Sequence, residues 1–258
     1  MKIFVLVKEV PDTYGDRGLS LETGLVDRGA NDPVLDEITE RSLEVALAYA
    51  DGNPGTEVIA LSMAPESATA SVRRALAIGA GSAVHVVDED LVGADLGLTA
   101  EVLAAAIRRG EPDVVIAGNI STDGSGGVIP AMIAEHLGFA HLTALSAVEI
   151  AADGVSGKRA SEFGTQHVSA PLPVVISITE ALPEARFPNF KGIMAAKKKP
   201  IDVLSLADLQ VSADPSAAPR TIMMAVSKKP PRAAGVKITD EGDAGMKLAE
   251  YLIQNQLV

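Results

Sequence analysis

Unbroken apolar runs alternate along this chain with segments whose apolar positions recur every three or four residues. Residues 3–7 form a β-branched and aromatic run, which predicts a buried first strand. A polar, glycine-containing segment follows over residues 11–31. Asp32 then offers an N-cap with Pro33 at the first helical position, predicting a helix that reaches about Tyr49. The breaker cluster Asp51-Gly52-Asn53-Pro54-Gly55 ends it. Residues 58–62 predict a second strand, Pro65 opens a helix running to Ile78, and Gly79-Ala80-Gly81 stops that helix. A third strand is predicted over 83–87 and a third helix over 95–109, where Thr99, Val102, Leu103 and Ala106 keep helical spacing. Val114, Val115, Ile116 and Ala117 make a fourth strand closed by Gly118. Val128, Ile129, Met132, Ile133, His136 and Leu137 mark one face of a fourth helix. Strand then helix, repeated in this way, predicts an α/β fold with a doubly wound, mostly parallel sheet.

The periodicity changes after Gly138. Residues 146–150, 157–160 and 174–178 read as strands joined by turns such as Ala152-Asp153-Gly154, a small antiparallel extension of the same domain. The chain turns Pro- and Ala-rich from Ser212, through Asp214-Pro215 and Ala218-Pro219, then Lys228-Lys229-Pro230-Pro231. It closes with an amphipathic helix over about 241–255. The expected division is a domain over 1–211 and a C-terminal arm over 212–258. Such an arm buries little of its own and is expected to pack on another chain.

Composition narrows the function. A net charge of −12 argues against a nucleic-acid partner, since phosphate binding needs a basic surface. Without cysteine there are no disulfides, thiolate zinc sites or thiolate-held iron–sulfur clusters. Only 3% of residues are aromatic, so the core is built from Val, Ile, Leu and Ala. The opening apolar run is too short for a signal peptide, and no stretch approaches a membrane span; a cytoplasmic protein with no membrane insertion is expected.

An open parallel sheet places its ligands at the C-terminal strand ends where strand order reverses. The loop after strand four, Gly118-Asn119-Ile120-Ser121-Thr122-Asp123-Gly124-Ser125-Gly126-Gly127, supplies small residues, hydroxyls and free backbone N–H groups just before a helix N-terminus. Those are the parts of a phosphate cradle, although no Walker lysine or GxGxxG spacing is present; the alternative is a plain connecting loop. Leu6, Val7, Leu61, Ser62 and Met63 either sandwich an adenine ring or are ordinary core. The histidines His85, His136, His141 and His167 are scattered, His85 reads as a core residue, and no catalytic set is visible, so a non-enzyme is expected. In the segment 184–199, Arg186, Phe187, Phe190, Ile193, Met194 and Lys197 join apolar side chains to a basic run on a Pro- and Gly-punctuated loop. It reads either as a solvated charge run or as a surface that docks a partner.

These pieces together resemble the beta subunit of electron-transfer flavoproteins over nearly the whole chain. Val7-Lys8-Glu9-Val10-Pro11-Asp12 is similar to the family's V-K-x-V-x-D opening. Asn31-Asp32-Pro33, Ala75-Leu76-Ala77-Ile78-Gly79-Ala80 and the loop from Gly118 to Pro130 follow in order. Arg186 through Lys199 resembles the R-Y/F…N-I-M-x-A-K-K-K signature, and residues 230–237 resemble P-P-x-R-x-A-G-V-K. The resemblance implies a Rossmann-like, adenine-nucleotide-binding fold, FAD held mainly by an alpha subunit, and AMP in this chain. The AMP site would involve Leu6, Asn31, Asp32, Pro33, Val34, Met63, Gly118, Asn119, Ser121, Thr122, Asp123, Gly124, Ser125, Gly126, Gly127 and Val128. Segment 184–199 would be the recognition loop for acyl-CoA and related dehydrogenases, with electron-transfer flavoprotein:quinone oxidoreductase as a further partner. Glu162 would govern motion of the flavin-bearing domain, and Tyr14 with Val34 or Leu35 would lie nearest the flavin. Gly124-Ser125-Gly126-Gly127-Val128 lacks the family's N-Q-T-G, which leaves a second FAD as the other occupant, and Asp32 is an extra residue beside Asn31. A rival resemblance, a stand-alone ATP-binding stress-response module, shares the loop but is about half this length and has nothing like 186–199.

Overall fold

The computed structural model describes residues 1–258 apart from 215, 217–219, 233 and 236. The Pro- and Ala-rich stretch after Ser212 and the motif at 230–237 therefore lie partly outside the described residues. Met1–Ala225 forms one compact unit and Val226–Val258 a second.

The first unit opens with β1 (Lys2–Leu6), an antiparallel pair of β2 (Glu9–Pro11) with β3 (Pro33–Leu35), and α1 (Glu37–Gly52). There follow β4 (Glu57–Met63), α2 (Thr69–Ile78), β5 (Ser82–Val86), α3 (Leu96–Gly110), β6 (Val114–Gly118) and α4 (Ile129–Leu137). Then come β7 (Ala140–Ile150), β8 (Gly154–Ser161), β9 (Gly164–Pro171), β10 (Val174–Ile178), α5 (Phe190–Ala196), β11 (Ile201–Leu204) and α6 (Leu206–Leu209). The second unit holds α7 (Ala244–Gln254).

Among the described residues, nine strands make one sheet in the order β11-β5-β4-β1-β6-β10-β7-β8-β9. Every pairing from β11 to β7 is parallel, and β7–β8 and β8–β9 are antiparallel. The expected α/β class holds. Both faces of the central strands are covered, so they carry apolar side chains without polar alternation. Ile3 and Val5 of β1, with Val114 and Ile116 of β6, pack under α1 and α2. Phe4 and Val115 point the other way, into a second core beneath α3, α4 and α6. Among the described residues no helix is long and apolar enough to cross a membrane.

Two local expectations are corrected. Pro33 does not start a helix: Pro33–Leu35 pairs with β2, and α1 begins at Glu37 after Asp36. The Asp36 carboxylate accepts the N–H of Thr122, and strand pairing of Pro33–Leu35 outweighs the local Asp-Pro helix signal. Residues 174–178 are not part of the antiparallel extension; β10 is a fully buried parallel strand between β6 and β7. Its unrelieved Val-Val-Ile-Ser-Ile run fits that position better than a half-exposed hairpin. The extension is instead the far half of β7 with β8 and β9, and β9 and β11 are strands that the apolar pattern alone does not reveal.

Candidate functional site

From β1 the chain builds outward through β4 to β5, then returns through α3 to place β6 on the other side of β1. That reversal opens a crevice at the C-terminal ends of β1 and β6. Lys8 leaves β1 there, and the loop from Asn119 to Val128 leaves β6. Gly118 ends β6 against α1: a Cβ on it would stand 2.7 Å from Ile38 Cγ2. Gly118→Ala is expected to cost about 1–3 kcal/mol by overpacking, read as a lowered urea midpoint.

Two buried carboxylates organise this loop. Asp123, its side chain 1% exposed, accepts from Lys8 Nζ at 2.7 Å and from Arg28 Nη2 at 2.8 Å. The N–H of Gly124 donates to the same carboxylate at 2.6 Å, and Lys8 also donates to Ser121 Oγ at 3.3 Å. Burial opposes ionisation of Asp123, but the hydrogen bond and charge of Lys8, with Ser121 and Arg28, outweigh it and hold the carboxyl far below the usual range. Asp36, 1% exposed, accepts from the Thr122 N–H at 2.8 Å and the Thr122 hydroxyl at 3.3 Å, both through Oδ2. Its Oδ1 has no partner among the described residues. Burial raises the Asp36 pKa; the Thr122 bonds offset part of that, and the neighbouring Asp123 charge adds to it. Arg17 donates through Nη2 to the carbonyl of Pro11 at 2.8 Å and to Thr122 Oγ1 at 3.2 Å, and through Nη1 to the Thr122 carbonyl. The 12–31 insert is thereby strapped to the loop by Arg17 and Arg28.

The far side of the loop is left open for a ligand. Among the described residues, the N–H groups of Gly126, Gly127 and Val128 donate to nothing. Gly127 takes φ +68° and Ser125 +51°, and α4 starts just beyond with Pro130 near its N-terminus and no side-chain cap. Unengaged backbone donors beside a helix start suit a phosphate group. Ile120 and Val128, 47% and 41% exposed, give the rim apolar surface. These residues fit the phosphate end of a nucleotide.

The structure gathers Ser121, Thr122, Asp123 and Gly124 into one network, with Gly118 and Asn119 at its root and Ser125, Gly126, Gly127 and Val128 at its open edge. Leu6 and Met63 are partly buried against the second core at neighbouring strand ends. Asn31 ties the insert together by donating to the Asp16 carbonyl at 2.9 Å, and the Asp32 carbonyl accepts from the Asp12 N–H. Pro33 is exposed and Val34 half-buried, while Leu35 is buried in the core and Tyr14 is fully exposed. Lys8, Arg17, Arg28 and Asp36 were not singled out from sequence; only Lys8 carried a signal, inside the V-K-x-V-x-D opening. His85 is a core residue, its Nε2 3.1 Å from the Ala64 carbonyl oxygen and its pKa lowered by burial. Glu162 is exposed at the β8–β9 turn beside Phe163.

On the α1 and α2 side, the segment around α5 carries its apolar side chains outward. Phe187 is 88% and Phe190 79% exposed, with Ile193 and Met194 at 44% and 47%. Lys197 is exposed, whereas Arg186 turns inward, meeting Glu44 through Nε and Nη2 at 2.8 Å and Asp51 at 2.9 Å. Those bonds lower the Glu44 pKa in spite of its burial.

The class defined is a doubly wound α/β protein with a glycine- and hydroxyl-rich loop at its switch point and an exposed apolar segment on one flank. The family model described as electron transfer flavoprotein domain matches residues 23–209. The chain is 44% identical to an electron transfer flavoprotein subunit beta of Mycobacterium tuberculosis, with 99% of each covered. It is 33% identical to the subunit of the same name from Syntrophomonas wolfei, covering 98% of this chain and 96% of that one. A caffeyl-CoA reductase-Etf complex subunit CarD of Acetobacterium woodii is 31% identical, covering 93% and 92%. The chain belongs to the electron transfer flavoprotein family, with its beta subunits, and so to a family of electron carriers.

Proposed function

We propose that this chain is the beta half of a heterodimeric carrier that takes electrons from acyl-CoA and related dehydrogenases and passes them to a quinone oxidoreductase of the same system. The alpha subunit would hold most of the FAD, which supplies the redox chemistry. This chain would contribute a bound nucleotide, a docking segment and a tail that packs on the alpha subunit. The observation that carries the reading is the pairing of unengaged N–H groups at Gly126, Gly127 and Val128 with an exposed apolar segment at Phe187, Phe190, Ile193 and Met194. The first suits AMP: three backbone donors and a helix start offer a single phosphate its acceptors' complement without a side-chain cation. The second suits an apolar pocket on a dehydrogenase. Tyr14 and Val34 are the side chains of this chain offered to the flavin, and Glu162 is the acidic residue offered to the flavin-bearing domain. The stand-alone ATP-binding module is not favoured, because the relatives align over nearly the full length.

Co-expression with an electron transfer flavoprotein alpha subunit tests the proposal. The expected product is a yellow complex that releases FAD and AMP on denaturation, identified by mass spectrometry. A second FAD equivalent in place of AMP would overturn the nucleotide assignment, and a colourless homodimer that binds ATP would overturn the whole reading.

A further inference from the structure

We infer that Arg73 and Lys199 are positioning residues for the docking helix, fixing α5 on α2 by a reciprocal exchange of cations between helix ends; this inference rests on the docking role proposed above. A helix as short as α5, seven residues, has little stability of its own. Among its residues only Ala196 is buried, so its pose must come from outside. Asn189 caps it, accepting the Gly192 N–H at 2.8 Å. Gly192 lets its backbone lie on α2: a Cβ there would stand 2.7 Å from the Ala77 carbonyl oxygen.

The two helix ends are then tied together. Lys199 Nζ donates to the carbonyls of Leu76, Gly79 and Ala80 at 2.9, 3.4 and 2.6 Å, at the C-terminus of α2. The last turn of α2 carries no basic residue of its own, so Lys199 supplies the positive charge that its dipole and orphan carbonyls favour. Arg73, within α2, answers by donating through Nη1 to the carbonyls of Ala196 and Lys199 at 2.8 and 2.6 Å, at the C-terminus of α5. A basic run is ordinarily a solvated face. Lys197 and Lys198 are exposed in that way, and Lys199 is not. With Arg186 fixed to Glu44 and Asp51, the segment is pinned at both ends. Phe190, Ile193 and Met194 are thereby presented in one arrangement before any partner arrives, which removes an ordering cost from docking.

The test uses the intact flavin-loaded heterodimer. Lys199→Met and Arg73→Lys are compared with Lys198→Met, which removes the same charge from an exposed neighbour, and with Phe190→Ala, which tests docking itself. Lys199→Met is expected to raise the KM for a donor dehydrogenase about tenfold, the effect of losing a charge-assisted hydrogen-bond set. Maximal rate and flavin content are expected to hold. Amide exchange over residues 193–196 is expected to quicken while that of β6 and β10 does not, and Arg73→Lys, which keeps the charge on a shorter side chain, is expected to show a smaller form of both changes. Lys198→Met is expected to leave exchange unchanged. If Phe190→Ala raises KM but Lys199→Met and Arg73→Lys alter neither KM nor exchange, the positioning role is overturned and docking stands. If Phe190→Ala leaves KM unchanged, docking itself falls, and the inference with it.

Discussion

Replacing Phe190 by Ala in the assembled carrier is expected to raise the KM for a donor dehydrogenase about thirtyfold, the effect of removing a hot-spot aromatic worth about 2 kcal/mol. Phe190 is 79% exposed, so truncating it removes no core packing and should leave the urea midpoint where it is. Its neighbours Ile193 and Met194 are half as exposed and lie on the same short helix, which makes Phe190 the most prominent apolar group there. An aromatic side chain that projects from a pinned segment gains its full burial on contact and loses little freedom in doing so. Stopped-flow reduction of the flavin by the dehydrogenase, at varied carrier concentration, separates binding from transfer. Unchanged concentration dependence would remove the docking role from this residue.

Asp123→Asn is expected to destabilise the protein by about 2 kcal/mol at neutral pH, through the loss of charge-assisted bonds to Lys8 and Arg28. The cost stays moderate because Lys8 and Arg28 are 42% and 51% exposed, and water takes over their charges. The sign of the pH dependence follows from the depressed folded-state pKa. Above about pH 4, the ordinary carboxylate value, both states are ionised and the full stabilisation is present. As the pH falls below that, the unfolded chain takes up a proton that the folded chain resists, and the stabilisation drains away. Urea midpoints of the two proteins should therefore differ at pH 7 and converge in acid. The same substitution should loosen the loop that presents the N–H groups of Gly126, Gly127 and Val128, and nucleotide content after dialysis should drop. A constant gap between the two proteins at every pH would deny the ion pairs their role.

The central sheet was legible because its strands are unrelieved apolar runs followed by helical periodicity. That signal gave β1, β4, β5 and β6 and, with them, the crevice. β10 carries the same signal but follows a hairpin, so its place between β6 and β7 depends on pairing that no local pattern encodes. Asp36 shows the reverse: the sequence offers Asp32-Pro33 as a strong helix start, but Pro33–Leu35 is taken up by pairing with β2 and the helix begins at Glu37, with Asp36 bonded to Thr122 far along the chain. The loop after β6 was visible through its glycines and hydroxyls. The cations around it were not, because Arg17 and Arg28 lie in a polar insert with no periodicity and reach the loop only in three dimensions. Arg186 stood out as part of a basic segment, and its attachment to Glu44 depends on α1 lying beneath it.

The helix that closes the chain buries none of its residues, although Leu248, Tyr251 and Leu252 line one face at helical spacing. Eleven residues in water sustain only a marginal helix. Its order is thus conditional on whatever covers that face; if the alpha subunit proposed above covers it, tail folding and subunit assembly become a single event. Dilution should melt this terminus while the nine-stranded sheet persists, and the apparent melting point of the assembled pair should climb with concentration, as mass action requires.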